Sequence, residues 1–412
     1  MLTAACWLYV SMIACWLLAA CMGGASLWMR WALLAVTLPA VLLAWTSAPR
    51  HVRPARVLAP LALLVGYGFV LGVASDSPGL AILKCAAFGA TTLACLLGAP
   101  LLVERYGRDR LLTVWRFAWR GLLLLSIVAI ATGAWRGTVA GLYGPTGNPN
   151  MFGSLLVTFG SILFLSPPPG RARGPLFFVE VAALVALLLA TRCRSALLAV
   201  SVASVVAILA ERGTRRWTWS ALILAAGIGV VLVLPTSSVT EIERLVRKTP
   251  ADLIPGATPD VLATRAPVWE HSWRAMVAAL PFGMGWGVKE DAPKTWTMDV
   301  QSLGYGREEG TSWLPVGEEL GLPGLALVAW LWIAAVRAAR GQPHRLRILA
   351  ISSLTILFVV ASFEGWFLSP GNWESMAFWS SLGILLARPA PSPVPTRLLP
   401  APLLLPAVTA AS

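Results

Sequence analysis

Charged residues are scarce in this chain. Asp, Glu, Lys and Arg make up 12% of its 412 residues, where a soluble domain carries about 25%. Histidine is scarcer still, with His51, His271 and His344 the complete set. The six cysteines, Cys6, Cys15, Cys21, Cys85, Cys95 and Cys193, include no close CxxC pair. That argues against a zinc site and a disulfide framework and leaves them as small apolar packers. The long polar interval 236–320 has no DxD pair and no histidine cluster, so neither a metal nor any other cofactor is indicated. No basic segment precedes the apolar residues 1–22, which therefore read as a first helix and not as a cleaved leader. Internal repeats are also lacking, and the long interval does not fall midway along the chain; both count against a two-half transporter.

Hydrophobic residues fill the space, at 57% of the chain with a mean hydropathy of +0.74. Val57–Ala74 and Leu176–Ala190 carry almost no polar groups, Glu180 being their one charge. Each can cross most of a ~30 Å hydrocarbon layer at about 1.5 Å per residue. Apolar segments bounded by charges, Pro or Gly fall at 4–22, 27–46, 57–75, 80–103, 111–133, 150–166, 175–190, 194–211, 217–235, 321–336, 348–366 and 372–388. They predict an all-α polytopic membrane protein of about twelve transmembrane helices, with one long extracytoplasmic loop, 236–320, between the ninth and tenth. The chain then divides into N-terminal transmembrane helices (1–133), a second membrane region that includes the loop (134–388), and a tail (389–412). Pro389, Pro391, Pro393 and Pro395 prevent a continuous helix in the tail, which reads as disordered. Within the loop, 237–248 reads as a short amphipathic helix with Ser238 and Glu241 as a capping box.

A net charge of +13 and a pI near 10.3 raise nucleic acid as a partner, but the positions of the charges remove it. One set of alternate short loops holds fifteen arginines, within 50–56, 105–110, 171–173, 212–216 and 337–347, and the opposite short loops hold only Arg136, Arg192 and Arg194. Excess Lys and Arg mark the cytoplasmic side, so both termini are expected inside and 236–320 outside. The basic pI follows from topology.

The arginines that break this rule carry the functional interest. Arg136, Arg192, Arg194 and Arg265 lie on the extracytoplasmic side, and Arg192 and Arg194 interrupt the apolar stretch LLLATRCRSALLAV. A charge there either snorkels to the interface or sits against an anionic partner. The guanidinium fork suits an anion such as pyrophosphate. Before the sixth segment, residues 142–156 read LYGPTGNPNMFGSLL. Glycine and proline force turns there, and Asn148 and Asn150 can cap a helix beginning near Met151. The junction is either an ordinary loop-to-helix turn or, in an outward-facing mouth, a helix start that offers N–H groups to a phosphate. Glu364, in SFEGWF, stands at the outer end of a membrane segment, as a functional carboxylate or as half of an ion pair. His271, on a helix starting near Pro267, would not share a face with Arg265. Trp269, Trp273 and Met276 recur at helical spacing as packing residues. Glu318 and Glu319 stand where the tenth segment begins, a place where negative charge favours the helix dipole.

Four stretches, in order, resemble the O-antigen ligase and polymerase superfamily. GPTGNPNMFGSLL is similar to that family's G-x-x-x-N-P-N loop, and CRSALLAV to its S-R-G/A-A-L-L stretch. TRAPVWEHSWRAMVAALPFGMGWG (264–287) is similar to its R-x-x-x-W…P-x-x-G-x-G segment, and GEELGLPGLA (317–326) to its E-x-G-x-x-G helix start. The resemblance covers residues 130–385, with the long loop where the family has one. It implies a GT-C-like membrane glycosyltransferase. Arg194 and Arg265 would bind substrate, helped by Arg192 and Arg136, with Asn148, Asn150 and Glu364 also at the site. The implied donor is an undecaprenyl-pyrophosphate-linked glycan and the acceptor a hydroxyl on a glycan or lipid, at the periplasmic face of a bacterial inner membrane.

One departure bears on the chemistry. The family's histidine, its proposed general base, stands nine residues before the Glu of E-x-G; counting back from Glu319 reaches Gly310, in REEGTSWL. Either Glu308 or Glu309 becomes the candidate base, tuned by arginines and a desolvated pocket, or the chemistry uses no base at this site and both are solvated charges pairing with Arg307. His271 is a further substitute base, set against a surface or packing role. The missing histidine shifts weight from a ligase toward a polymerase. The non-enzymatic rival is a transporter or flippase that uses the arginines as a translocation site for an anionic lipid-linked substrate.

Overall fold

A computed structural model describes residues 1–22, 27–48, 55–135, 137–138, 141–165, 174–210, 266–288, 310–370 and 372–387. Among them the chain forms helices α1 (Leu2–Met22), α2 (Leu27–Thr46), α3 (Ala55–Ala74), α4 (Pro78–Tyr106) and α5 (Arg108–Ala131). A two-stranded antiparallel hairpin follows, β1 (Gly137–Thr138) with β2 (Gly141–Leu142), Gly137 standing opposite Leu142. Then come α6 (Pro149–Gly160), α7 (Pro175–Thr191), α8 (Arg194–Ala210), α9 (Ala266–Ala279), α10 (Trp313–Arg340), α11 (His344–Ala361) and α12 (Trp373–Leu386). Proline opens α4, α6 and α7, where its missing N–H costs nothing and its fixed φ suits the first turn.

Most apolar segments read from the sequence correspond to these helices within a few residues. Two differ for identifiable reasons. The sixth tightens after Gly160 into a 3-10 turn, Ser161–Phe164. The tenth begins at Trp313 and not at 321, because its polar first turns are helical but break at Gly321. The ninth segment, the 237–248 amphipathic helix and the 389–412 tail lie outside the described residues.

Among the described residues, six helical stretches are long and apolar enough to cross a membrane: Met29–Thr46, Val57–Ala74, Pro78–Tyr106, Arg108–Ala131, Trp313–Arg340 and His344–Ala361. The helix surface is apolar outside as well as inside. Trp7, Val70, Val73, Phe117, Leu124 and Leu209 are each more than 60% exposed. Such an exterior suits lipid and not water, and the protein is an all-α, multi-pass membrane protein.

Helix α4 is central, buried without interruption from Ala94 to Val103 and packed on α1, α2, α3 and α12. Without a hydrophobic drive between helices in lipid, close approach by small residues and interhelical hydrogen bonds must hold them. Both are present. A Cβ at Gly98 would lie 2.5 Å from the Tyr9 ring, and one at Gly383 2.9 Å from the Leu96 carbonyl. Tyr9 donates to Ser380 at 2.7 Å, and the Trp45 indole donates to the Leu97 carbonyl at 2.8 Å. The five described cysteines are buried and unbridged.

One end of the bundle gathers basic residues. The Arg108 guanidinium reaches the Gln342 side chain and the Ala387 carbonyl, tying the start of α5 to the ends of α10 and α12. Arg345, in the first turn of α11, lies 3.9 Å from Asp109. Further along α5, Arg120 pairs with Glu180 of α7 at 2.7 Å, the carboxylate nearly buried. Removing one partner of such a pair strands the other charge. Arg120→Gln is expected to lower the thermal unfolding midpoint of the detergent-solubilised protein, and adding Glu180→Gln should restore most of the loss in scanning fluorimetry.

Candidate functional site

The opposite end of the bundle is built from three interlocking turns. The first joins the hairpin, the start of α6 and the junction of α7 with α8. Asn148 is the N-cap of α6: its side-chain oxygen accepts from the Asn150 and Met151 amides at 2.8 and 3.3 Å. Proline follows it at the first helical position, so the helix starts two residues earlier than Met151 and Asn150 lies inside the first turn instead of capping it. The chain of α7 ends on Arg192, whose φ of 53° makes it the one described non-glycine residue in the left-handed region. That conformation is uncommon for a side-chain-bearing residue. Local contacts hold it: the Thr191 hydroxyl donates to the Leu188 carbonyl at 2.8 Å and accepts from the Cys193 amide at 3.3 Å. A Cβ at Gly141 would lie 2.2 Å from the Thr191 carbonyl, so the hairpin closes directly on this turn. Arg194 then opens α8. A Cβ at Gly153 would stand 2.4 Å from that of Cys193, which presses α6 against the junction.

The second turn explains two of the sequence motifs as one piece of structure. Residues 281–288, PFGMGWGV, follow α9 and pack on a break in α10. At Gly321 (φ 62°, ψ −159°) the helix leaves helical geometry, in a region essentially reserved for glycine. Pro323 has no N–H, so the Glu319 carbonyl lacks its helical donor. The Gly285 amide supplies one at 3.0 Å, and the Met284 amide donates to the Glu318 carbonyl at 3.0 Å. In exchange the Leu322 amide donates to the Pro281 carbonyl at 2.9 Å. Trp286 anchors the turn, packed at a tilt on Phe88 with ring centroids 4.7 Å apart and seated over Gly68. Tyr67 donates to the Phe282 carbonyl at 2.7 Å, and Lys84 to the Gly287 carbonyl at 3.3 Å.

The third turn, between α11 and α12, is organised by Ser312. Its hydroxyl donates to the Glu364 carbonyl at 2.7 Å and accepts from the Trp366 and Phe367 amides, both at 3.1 Å. Although Ser312 precedes α10, its side chain makes no cap bond to that helix. It holds the neighbouring turn. Trp269 of α9 joins the same place, donating to the Gly310 carbonyl at 2.9 Å and packing on Phe363 at 6.0 Å.

Of the residues singled out in the sequence, the structure brings together Asn148, Asn150, Arg192 and Arg194 in the first turn, with both arginines half-buried. Glu364 is half-buried in the third. Arg136, Arg265, Glu308 and Glu309 lie outside the described residues. His271 is exposed on α9, as is Trp273, whereas Met276 is buried against Gly317. Glu318 and Glu319 correct a reading: they are buried, 0% and 5% exposed, in the second turn of α10. The helix begins at Trp313 and the 281–285 chain bonds to their carbonyls, so they do not stand in the first turn, where negative charge would favour the helix dipole.

One residue was missed. Glu374, in the first turn of α12, is 3% exposed and faces Ser154 of α6, with Glu364 near enough to repel it. Asn372 caps that helix by accepting the Glu374 amide at 2.8 Å. Because Ser154 follows Gly153, Glu374 links the third turn to the arginine junction. The available signal was Asn-x-Glu ahead of an apolar run, hidden by reading 372–388 as a plain membrane segment.

Residues 180–329 match the family model described as O-antigen ligase. That interval holds Arg192, Arg194, the second turn and the break at Gly321. No curated protein matches the chain.

Gly321→Ala should sharply reduce the folded fraction. Its backbone conformation alone costs a side-chain-bearing residue about 1–3 kcal/mol, and the new Cβ would stand 2.2 Å from the Pro281 carbonyl. Gly121→Ala, in α5 with nothing within 4 Å of the added Cβ, should leave the elution profile in fluorescence-detected gel filtration unchanged.

Proposed function

From an O-antigen ligase region at residues 180–329, we propose that the chain is a membrane glycosyltransferase. It moves a glycan from an undecaprenyl-pyrophosphate donor to an acceptor hydroxyl on the periplasmic face of the inner membrane. The observation that carries this reading is the junction of α7 and α8. Two half-buried arginines, one in a left-handed conformation, flank Cys193, which packs on Gly153 in the first turns of α6, at the end of the bundle away from Arg108 and Arg345. In this reading about twelve helices span the membrane, both termini are cytoplasmic, and 236–320 is the periplasmic loop. Residues 1–133 and 134–388 form two membrane regions, followed by a cytoplasmic tail.

Arg194 and Arg265, with Arg192 and Arg136, bind the pyrophosphate. Their charge stabilises what develops on the leaving oxygen as the anomeric C–O bond breaks. Because the arginines supply that charge, the reaction needs no metal. Glu308 or Glu309 takes the proton from the acceptor hydroxyl, whose oxygen attacks the anomeric carbon in line. Asn148, Asn150 and Glu364 complete the donor and acceptor surfaces. Ligase and polymerase share these steps and differ in acceptor, a lipid-borne core for one and a lipid-linked repeat for the other. The missing histidine, with Gly310 at its position, favours the polymerase.

Release of undecaprenyl pyrophosphate from a lipid-linked oligosaccharide by purified protein tests the arginines. Arg265→Ala and Arg194→Lys should abolish or nearly abolish release, since an ammonium cannot reproduce a bidentate contact, while Arg215→Ala keeps it. Arg192→Gly separates conformation from charge. Glycine accepts the left-handed turn, so the folded yield should hold while transfer falls. Wild-type turnover in all three site variants would reduce these arginines to interfacial charges.

For the base, Glu308→Gln or Glu309→Gln should cut turnover by about 100-fold while sparing donor binding. Full activity in both variants would remove the carboxylate base from the mechanism.

A further inference from the structure

A second charged feature lies on the other side of the molecule and takes no part in the proposed transfer. Asp109, Leu112, Thr113, Arg116, Phe117 and Arg120 of α5, with Leu165 and Arg345, line a cavity of about 370 Å³. One water occupies only ~30 Å³ of the liquid. Arg116 and Arg120 stand roughly 12 and 18 Å along the helix from Arg108 at about 1.5 Å per residue, inside a stretch apolar enough to span a membrane.

Charge at that depth calls for an anionic partner. Glu180 serves Arg120 at 2.7 Å, and Asp109, 90% exposed, stands 3.9 Å from Arg345. Among the described residues Arg116 has no carboxylate within ion-pair distance. Glu180 attracts it from further off, and Arg120 and Arg345 both repel it. Three arginines and one carboxylate line the opening, and even with Glu180 beside Arg120 the described charges there sum to net positive. The mouth adjoins lipid-facing side chains: Val114, Phe117 and Leu124 of α5 are 58%, 65% and 64% exposed. A ligand here needs a negatively charged head and an apolar body.

We propose that this cavity binds the phosphate headgroup of an anionic phospholipid from the leaflet at the basic end, with the acyl chains lying along the exposed side of α5. Basic pockets between transmembrane helices hold anionic headgroups in this manner. The phosphate bridges Arg116 and Arg345, Arg120 stays with Glu180, and Thr113 faces the headgroup hydroxyls.

Native mass spectrometry of the full chain, titrated with dioleoylphosphatidylglycerol or dioleoylphosphatidylcholine, tests the site. The wild type should prefer phosphatidylglycerol. Arg116→Gln should weaken that binding about five-fold and leave phosphatidylcholine unchanged. Arg345→Gln should do the same, which covers the case in which the first variant folds poorly. Arg274→Gln, an exposed residue paired with Glu270 on α9, should behave as wild type. Glycerophosphoglycerol, the same headgroup without chains, should fail to displace the lipid. Equal phosphatidylglycerol affinity in the wild type and both cavity variants overturns the proposal, and so does displacement by the chainless headgroup.

Discussion

The exchange of hydrogen bonds between 281–285 and 318–322 is the contact on which the rest of this end of the molecule depends. A proline in α10 leaves a carbonyl without its donor, and a glycine turn from the preceding segment provides it. Neither half is stable alone in an apolar setting, since a buried carbonyl or amide without a partner costs several kcal/mol. Together they fix the first turns of α10 against α9. Through Ser312 and Trp269 they also fix the turn between α11 and α12. Trp286 carries the same constraint into α3 and α4. Motifs that resemble a signature of chemistry are here the means of holding backbone at this end of the bundle.

Arginine does two jobs in this chain. At one end it clusters and ties helix ends together, as Arg108 does with Gln342 and Ala387. At the other, Arg192 and Arg194 are spaced so that a left-handed residue lies between two helices. Each guanidinium there is half-buried, its backbone held by the turn it sits in. The same residue type therefore stands in two settings, one tying helix ends together and one held in a turn between helices.

Much of the fold was legible from hydrophobic length and punctuation. A run of apolar residues ended by charge, proline or glycine has one low-energy solution in lipid, a helix that satisfies its own backbone. The boundaries of α2, α7 and α8 followed closely from that rule. Asn148 as a cap followed from its side-chain chemistry.

What the sequence by itself determined is this one-dimensional record: which segments are helices, which loops are basic, and which arginines are out of place. It could not determine that α10 begins before its apolar part, because the first turns are sustained by hydrogen bonds to a segment more than thirty residues away. Nor could it show that Glu318 and Glu319 are buried, or that Glu374 meets Ser154 across more than two hundred residues. Burial of a polar group depends on what packs over it, and that is decided by helix-to-helix contact. Local composition fixes the pieces because backbone satisfaction is local. The candidate site is assembled from distant turns, and only tertiary structure brings them together.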